Sequence, residues 1–134
     1  MGFERVTAML QKIFSLLLFI SLHGVAATPA ELLAGYSAQA GQPAQVARGE
    51  AFFKTSHGQS WQCASCHGES PMSGGRHAST DKAIEPLAPA VNPKRFTDSA
   101  KVEKWFRRNC KDVLARECSA GEKADVLAWL ITLR

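Results

Sequence analysis

The sequence predicts an all-α domain, and three observations carry that expectation. Apolar residues recur at helical spacing in three separate segments. No strand-like alternation interrupts them, and the one long aperiodic region is rich in Gly, Pro and Ser. With 134 residues, 46% of them hydrophobic, the chain suits one ordinary domain and is not a disordered tail.

Residues 1–27 read as a leader. Arg5 and Lys12 supply a positive start, 13–22 form an apolar run of about ten residues, and Val25-Ala26-Ala27 is a small-residue cleavage site. Such a run is too short to span a bilayer comfortably. A signal peptide is therefore expected at 1–27 and the folded domain at 28–134, the membrane being involved only through that peptide. Export to the periplasm would place the four cysteines in an oxidising compartment, where sulfurs are covalently committed.

The first helix is expected over 43–56, with Val46, Ala47, Phe52 and Phe53 inward and Arg48, Glu50 and Lys54 outward. It leads into a His57-Gly58 turn. Residues 68–93 form a long loop, and a loop of that length in a small domain is usually functional. Thr97 or Asp98 caps a second helix carrying Val102, Trp105, Phe106 and Val113. Ser119-Ala120-Gly121-Glu122 fits a capping box for a last helix. That helix buries Val126, Leu127, Leu130, Ile131 and Leu133, with Trp129 beside them.

The formal net charge is +4, and Lys94, Arg95, Lys101, Lys104, Arg107, Arg108 and Lys111 gather in one region. They do not form the basic run of a nucleic-acid binder. They read as a solvated helix face, with an acidic partner's docking surface or the neutralising of an anionic cofactor as alternatives.

Cys63-Ala64-Ser65-Cys66-His67 is a C-x-x-C-H motif, the attachment signature of c-type haem. Two thiols at this spacing add across two porphyrin vinyl groups as thioethers, and the adjacent imidazole lies under the iron. A zinc site would need a second knuckle-like cysteine pair, and Cys110 and Cys118 stand too far apart for one. The fold expected is thus a small cytochrome c-like helical domain around one covalently attached haem c, with the 68–93 loop wrapping it. A buried porphyrin would supply apolar surface that so small a core lacks.

The far side of the iron is less direct to read. Met1, Met9 and His23 leave with the leader, and Met72 lies five residues past His67, too close to cross the ring easily. His57, His77 and Asn109 remain as candidates. Val102, Trp105, Phe106 and Asn109 share one helical stripe at i, i+3, i+4 and i+7, so the amide lies among apolar residues. A buried amide without a partner costs about 1–3 kcal/mol, and an iron would satisfy it. A backbone hydrogen bond or a position near a frayed helix end would satisfy it as well. For His57 a turn role is the simpler reading, and for His77 an exposed or propionate-bonded loop position. Pro86-Leu87 resembles the element whose carbonyl accepts the other ring N–H of the haem histidine in cytochromes c. Arg95 and Arg76 are candidates to pair with haem propionates. Trp61, Trp105 and Trp129 read as packing around the porphyrin.

WFRRNC with a cysteine eight residues beyond it, together with CASCHG, GGRHASTDK, IEPLAPAVNPKRFTD and EKADVLAWL, resembles the Sphaeroides haem protein (SHP) family over most of the chain after the leader. The resemblance implies a monohaem cytochrome c with His67 and Asn109 as axial ligands and a Cys110–Cys118 disulfide. In the related cytochrome c-double-prime proteins a histidine stands in place of the asparagine. A carboxamide oxygen is a hard, weak-field donor that suits ferric better than ferrous iron, so the expected function is one-electron transfer with Asn109 dissociating on reduction and ferrous haem binding O2, CO or NO. Other haem proteins, a dihaem cytochrome c and a membrane cytochrome b, would be the electron donors. A haem enzyme acting on a small diatomic or an oxyanion, and a bis-His carrier using His77, are the alternative functions. The sequence shows no acid–base constellation typical of a peroxidase.

Overall fold

The computed structural model describes residues 26–134, so the expected leader lies, but for its last two residues, outside the described part. Among the described residues there are five helices: α1 (Pro29–Ala40), α2 (Val46–Lys54), α3 (Cys63–His67), α4 (Ser99–Leu114) and α5 (Ala120–Thr132). Two strands of two residues each, β1 (Gly75–Arg76) and β2 (Ala83–Ile84), pair antiparallel inside the long loop. The fold is all-α apart from that small ladder. No helix is long and apolar enough to cross a membrane among these residues.

The core is built on α5. Its start is the expected capping box: Glu122 N–H donates to Ser119 Oγ at 3.2 Å, and Ser119 N–H donates to the Glu122 carboxylate at 2.7 Å. Leu127, Leu130, Trp129 and Val126 are buried along it, and α1 and α2 both pack against it. Phe53 of α2 meets the Trp129 ring at 5.0 Å between centroids. The two helices come this close because Gly49 has no side chain; a Cβ there would overlap the carbonyl of Asp125.

That crossing also corrects the expected start of α2. Asp125 is only 3% exposed, and its carboxylate accepts from the Gln45 N–H at 2.7 Å and from the Arg48 guanidinium. The helix begins at Val46 rather than at 43, because the preceding backbone is drawn into this contact. Val46 and Ala47 are exposed, not inward; the inward side of α2 is Gly49 and Phe53, with Phe52 half-buried.

α1 lies outside the elements read from the sequence. It opens on its own capping box, with Glu31 N–H donating to Thr28 Oγ1 at 3.2 Å and Thr28 N–H donating to the Glu31 carboxylate at 2.8 Å. Pro29 stands in the first turn and Gly41 ends the helix with φ +67°. It buries Tyr36.

α4 starts where expected: Asp98 accepts from the Lys101 N–H at 3.0 Å. It buries Val102, Cys110 and Val113. Trp105, expected on the apolar stripe, is 45% exposed, with the Arg108 guanidinium 5.3 Å from its ring centroid. The helix ends at Ala115 in the left-handed region, φ +56°, whose N–H returns to the Lys111 carbonyl. Just beyond, Cys110 and Cys118 are joined as a disulfide with Cα atoms 5.5 Å apart.

Candidate functional site

The site is organised by α3, a single turn that carries the whole C-x-x-C-H motif. Its entry is fixed by the Gln62 N–H donating to Ser65 Oγ at 3.0 Å, and its exit by Gly68 at φ +77°, whose N–H reaches the Ala64 carbonyl at 2.9 Å. One helical turn places Cys63, Cys66 and His67 at i, i+3 and i+4, on a common side. Neither of the two cysteines is in a disulfide, and both are half-buried. Burial pushes the Cys63 thiol up to about 11, so it stays protonated and is unlike the low-pKa thiolate of an oxidoreductase. Burial, with the nearby Arg95 charge, pushes the His67 imidazole down to about 4, which keeps it neutral and available as a ligand.

His67 Nδ1 is buried and has no hydrogen-bond partner among the described residues. The expected acceptor, the Pro86 carbonyl, is taken by other donors: Arg95 Nε at 2.9 Å and Asn92 Nδ2 at 3.2 Å. Arg95 Nη2 also reaches the Glu85 carbonyl at 2.8 Å. With its guanidinium bonded to both the Glu85 and Pro86 carbonyls, Arg95 acts here as a loop anchor.

The long loop closes over α3 rather than trailing away from it. Pro71 carbonyl accepts from the Leu87 and Ala88 N–H groups at 2.9 and 3.0 Å, tying the two ends of the loop together. Between them, the β1–β2 turn folds back on the motif, and Ala78 N–H lies 3.3 Å from Cys66 Sγ. Gly75 presses on the motif so closely that a Cβ would overlap the Cys66 carbonyl oxygen. Neither Gly75 nor the turn was singled out from sequence as part of the site; the GGRH stretch was the available signal. Phe96, buried at φ +60°, is a second such residue. It holds a left-handed backbone between the Arg95 anchor and the Asp98 cap, so loop and α4 are joined by a strained residue.

The remaining candidates separate clearly. His57 Nε2 bonds the Phe52 carbonyl at 2.8 Å and its ring packs on Phe52 at 4.3 Å, the local role expected for it. His77 sits in the β1–β2 turn with Nδ1 accepting from the Ser79 N–H at 3.3 Å. Arg76 pairs with Asp81 at 3.2 Å in the same turn. Asn109 is half-buried on α4, next to the disulfide, and its side chain makes no hydrogen bond among the described residues.

Paired thiols on one helical turn, a neutral histidine with an orphaned nitrogen and a glycine cradle against the motif fit a haem held covalently at α3. The four cysteines do not converge on one metal, since Cys110 and Cys118 are bonded to each other.

Residues 39–130 match a family described as a domain of unknown function, DUF1924. The chain is 51% identical over 107 residues to the cytochrome c-type protein SHP of Cereibacter sphaeroides, covering 77% of this chain and 82% of that one. Among solved structures it is similar to oxidised SHP, described as an oxygen-binding cytochrome c, with a TM-score of 0.76, 48% identity, and 81% and 99% of the two chains covered. Oxidised cytochrome c'' of Methylophilus methylotrophus follows with a TM-score of 0.67 and 40% identity over 79% and 94% of the chains. The chain therefore belongs to the SHP family of c-type cytochromes and carries one covalently attached haem.

Proposed function

We infer that this chain is a periplasmic one-electron haem protein whose axial ligands are His67 and Asn109, and that Asn109 yields its place on reduction so that O2, CO or NO can bind. The haem supplies the redox couple and the iron at which a diatomic ligand sits. Cys63 and Cys66 hold it through thioethers on one turn of helix, and His67 presents a neutral imidazole from the same turn.

The observation that carries the reading is the Asn109 amide, half-buried on α4 without a protein hydrogen-bond partner among the described residues. Its rivals are engaged: His57 with the Phe52 carbonyl and His77 with Ser79. The solved relative described as an oxygen-binding cytochrome c supports the ligand-binding part of this reading.

A carboxamide oxygen is a hard, weak-field donor that favours ferric over ferrous iron. Asn109 therefore holds in the oxidised state and releases in the reduced one. Its freed Nδ2–H then serves as a hydrogen-bond donor to a bound diatomic. The Cys110–Cys118 link holds the backbone beside it, which confines release to the side chain or a short segment. Without methionine ligation the reduction potential lies below that of Met/His cytochromes. Redox partners are other haem proteins, of the dihaem cytochrome c and membrane cytochrome b kind that the family resemblance implies.

The test is Asn109→Ala, read by optical and spin-resonance spectra of the ferric, ferrous and ferrous-plus-CO forms. The ferric spectrum changes as water or nothing replaces the amide, and CO binding to the ferrous form persists. An unchanged ferric spectrum overturns the assignment.

A further inference from the structure

α1 and α2 close along α5, and α4, the longest helix among the described residues at 16 residues, is tied to both α1 and α5. What ties its middle turns down is a polar node shared by three helices. Tyr36 of α1 donates its hydroxyl to Glu103 Oε1 at 2.6 Å, and Lys123 of α5 donates Nζ to Glu103 Oε2 at 2.8 Å. Both carboxylate oxygens are thus used, each by a different helix. The Lys123 ammonium also lies 5.4 Å from the Tyr36 ring centroid and 6.0 Å from that of Phe106. Tyr36 and Phe106 meet edge to face at 5.9 Å.

Among the described residues this node spans more of the chain than the exposed carboxylate–cation pairs, of which Arg116–Glu122 joins residues six apart. Lys54–Glu50 joins residues of one helix and Arg76–Asp81 residues of one turn, whereas Glu103 binds partners 67 and 20 residues away. The Lys123 side chain is only 14% exposed while that of Glu103 is 46% exposed, so the cation is the sheltered member. A charge-assisted bond is stronger than a neutral one, and the aromatic faces of Tyr36 and Phe106 add attraction for the cation.

Glu103, Phe106 and Asn109 follow one another at three-residue steps along α4. The node therefore fixes the rotation and depth of the helix within two turns, about 9 Å, of Asn109. We propose that Glu103, clamped by Tyr36 and Lys123, is a positioning residue for the distal amide: it pre-seats α4 so that Asn109 meets the iron with little ordering cost. This rests on the His67/Asn109 reading above. A ligand that arrives already ordered binds better than one that must be ordered, so loosening the node weakens internal ligation and favours external competitors.

The experiment is equilibrium binding of imidazole to the ferric holoprotein, followed in the visible spectrum, since imidazole has to displace the internal ligand. Glu103→Gln and Lys123→Met tighten imidazole binding about five- to tenfold, the effect on the internal equilibrium of losing about one net intramolecular hydrogen bond. Lys123→Arg, which keeps the cation, restores affinity to near that of the unsubstituted protein. Tyr36→Phe removes one hydroxyl, tightens binding about two- to threefold, and carries the test if Glu103→Gln is not recovered with haem. Asn109→Ala tightens binding most, and adding Glu103→Gln to it changes nothing further. The proposal is overturned if Glu103→Gln and Tyr36→Phe lower thermal stability but leave imidazole affinity unaltered, or if they shift it equally in the Asn109→Ala background. Should Asn109→Ala itself leave the affinity unaltered, the ligand assignment fails and takes the positioning role with it.

Discussion

Gly75 lies directly against Cys66: the β1–β2 turn crosses the haem motif with no room for a side chain between the two backbones. The loop that wraps the site is thereby registered on the turn that carries both thiols and His67. Gly75→Ala forces the turn off the motif. We expect a loss of about 1–3 kcal/mol in stability, the usual range for overpacking a tight contact, and a smaller haem-loaded fraction. Chemical denaturation and the haem-to-protein ratio of the purified variant check both.

A second glycine sets the helix crossing. Gly49 on α2 faces the carbonyl of Asp125 on α5, and a methyl there overlaps it. The obstructing atom is backbone, which yields less readily than the end of a side chain. Gly49→Ala should cost at least about 2 kcal/mol, at the upper end of overpacking effects. The measurement is the urea midpoint of the holoprotein, with the Phe53–Trp129 contact reported by near-ultraviolet circular dichroism.

Ala115 ends α4 at φ +56°, a conformation that glycine adopts without the Cβ clash. Ala115→Gly should stabilise the protein by about 0.5–1 kcal/mol, less whatever the more flexible unfolded chain takes back. A raised denaturation midpoint at constant slope is the expected result.

The Tyr36–Glu103–Lys123 node gives a pH dependence with a definite sign. Burial pushes the Glu103 carboxyl up, but the hydrogen bonds from Lys123 and Tyr36 and the charges of Lys123 and Arg107 outweigh it, leaving the group below its ordinary value. A carboxyl lowered in the folded state stabilises the fold above its unfolded value, and that contribution is lost as the pH falls through the folded value. Thermal unfolding of the holoprotein between pH 7 and pH 3 should therefore show a decline in the acid range that is shallower in Glu103→Gln. Equal slopes in the two proteins would count against the node.

Much of the fold was legible where chemistry is local. The C-x-x-C-H turn, the Asp98 cap and the Ser119/Glu122 box announce themselves within four or five residues, because each is a contact between near neighbours in sequence. α1 carries the same kind of signal in Thr28, Pro29, Glu31 and Gly41. It went unread because its Ala, Gly and Ser residues dilute the apolar stripe to Leu32, Leu33 and Tyr36, close behind the expected leader. The start of α2 could not be read at all, since a carboxylate 80 residues away draws Gln45 out of the helix.

The site divides in the same way. The motif residues are named by spacing alone. Gly75, Arg95 and Phe96 matter through contacts across the loop, and nothing local in the sequence distinguishes Gly75 from its neighbour Gly74. The expected Pro86 carbonyl illustrates the limit: the dipeptide is present, but the donors it meets are Arg95 and Asn92, which only the folded loop reveals.

The most direct test of the account is a crystal structure of the oxidised, haem-loaded protein, asking which atom lies opposite His67 on the iron. The account predicts the side-chain oxygen of Asn109. An imidazole from His77, or any atom other than that amide oxygen, would contradict it.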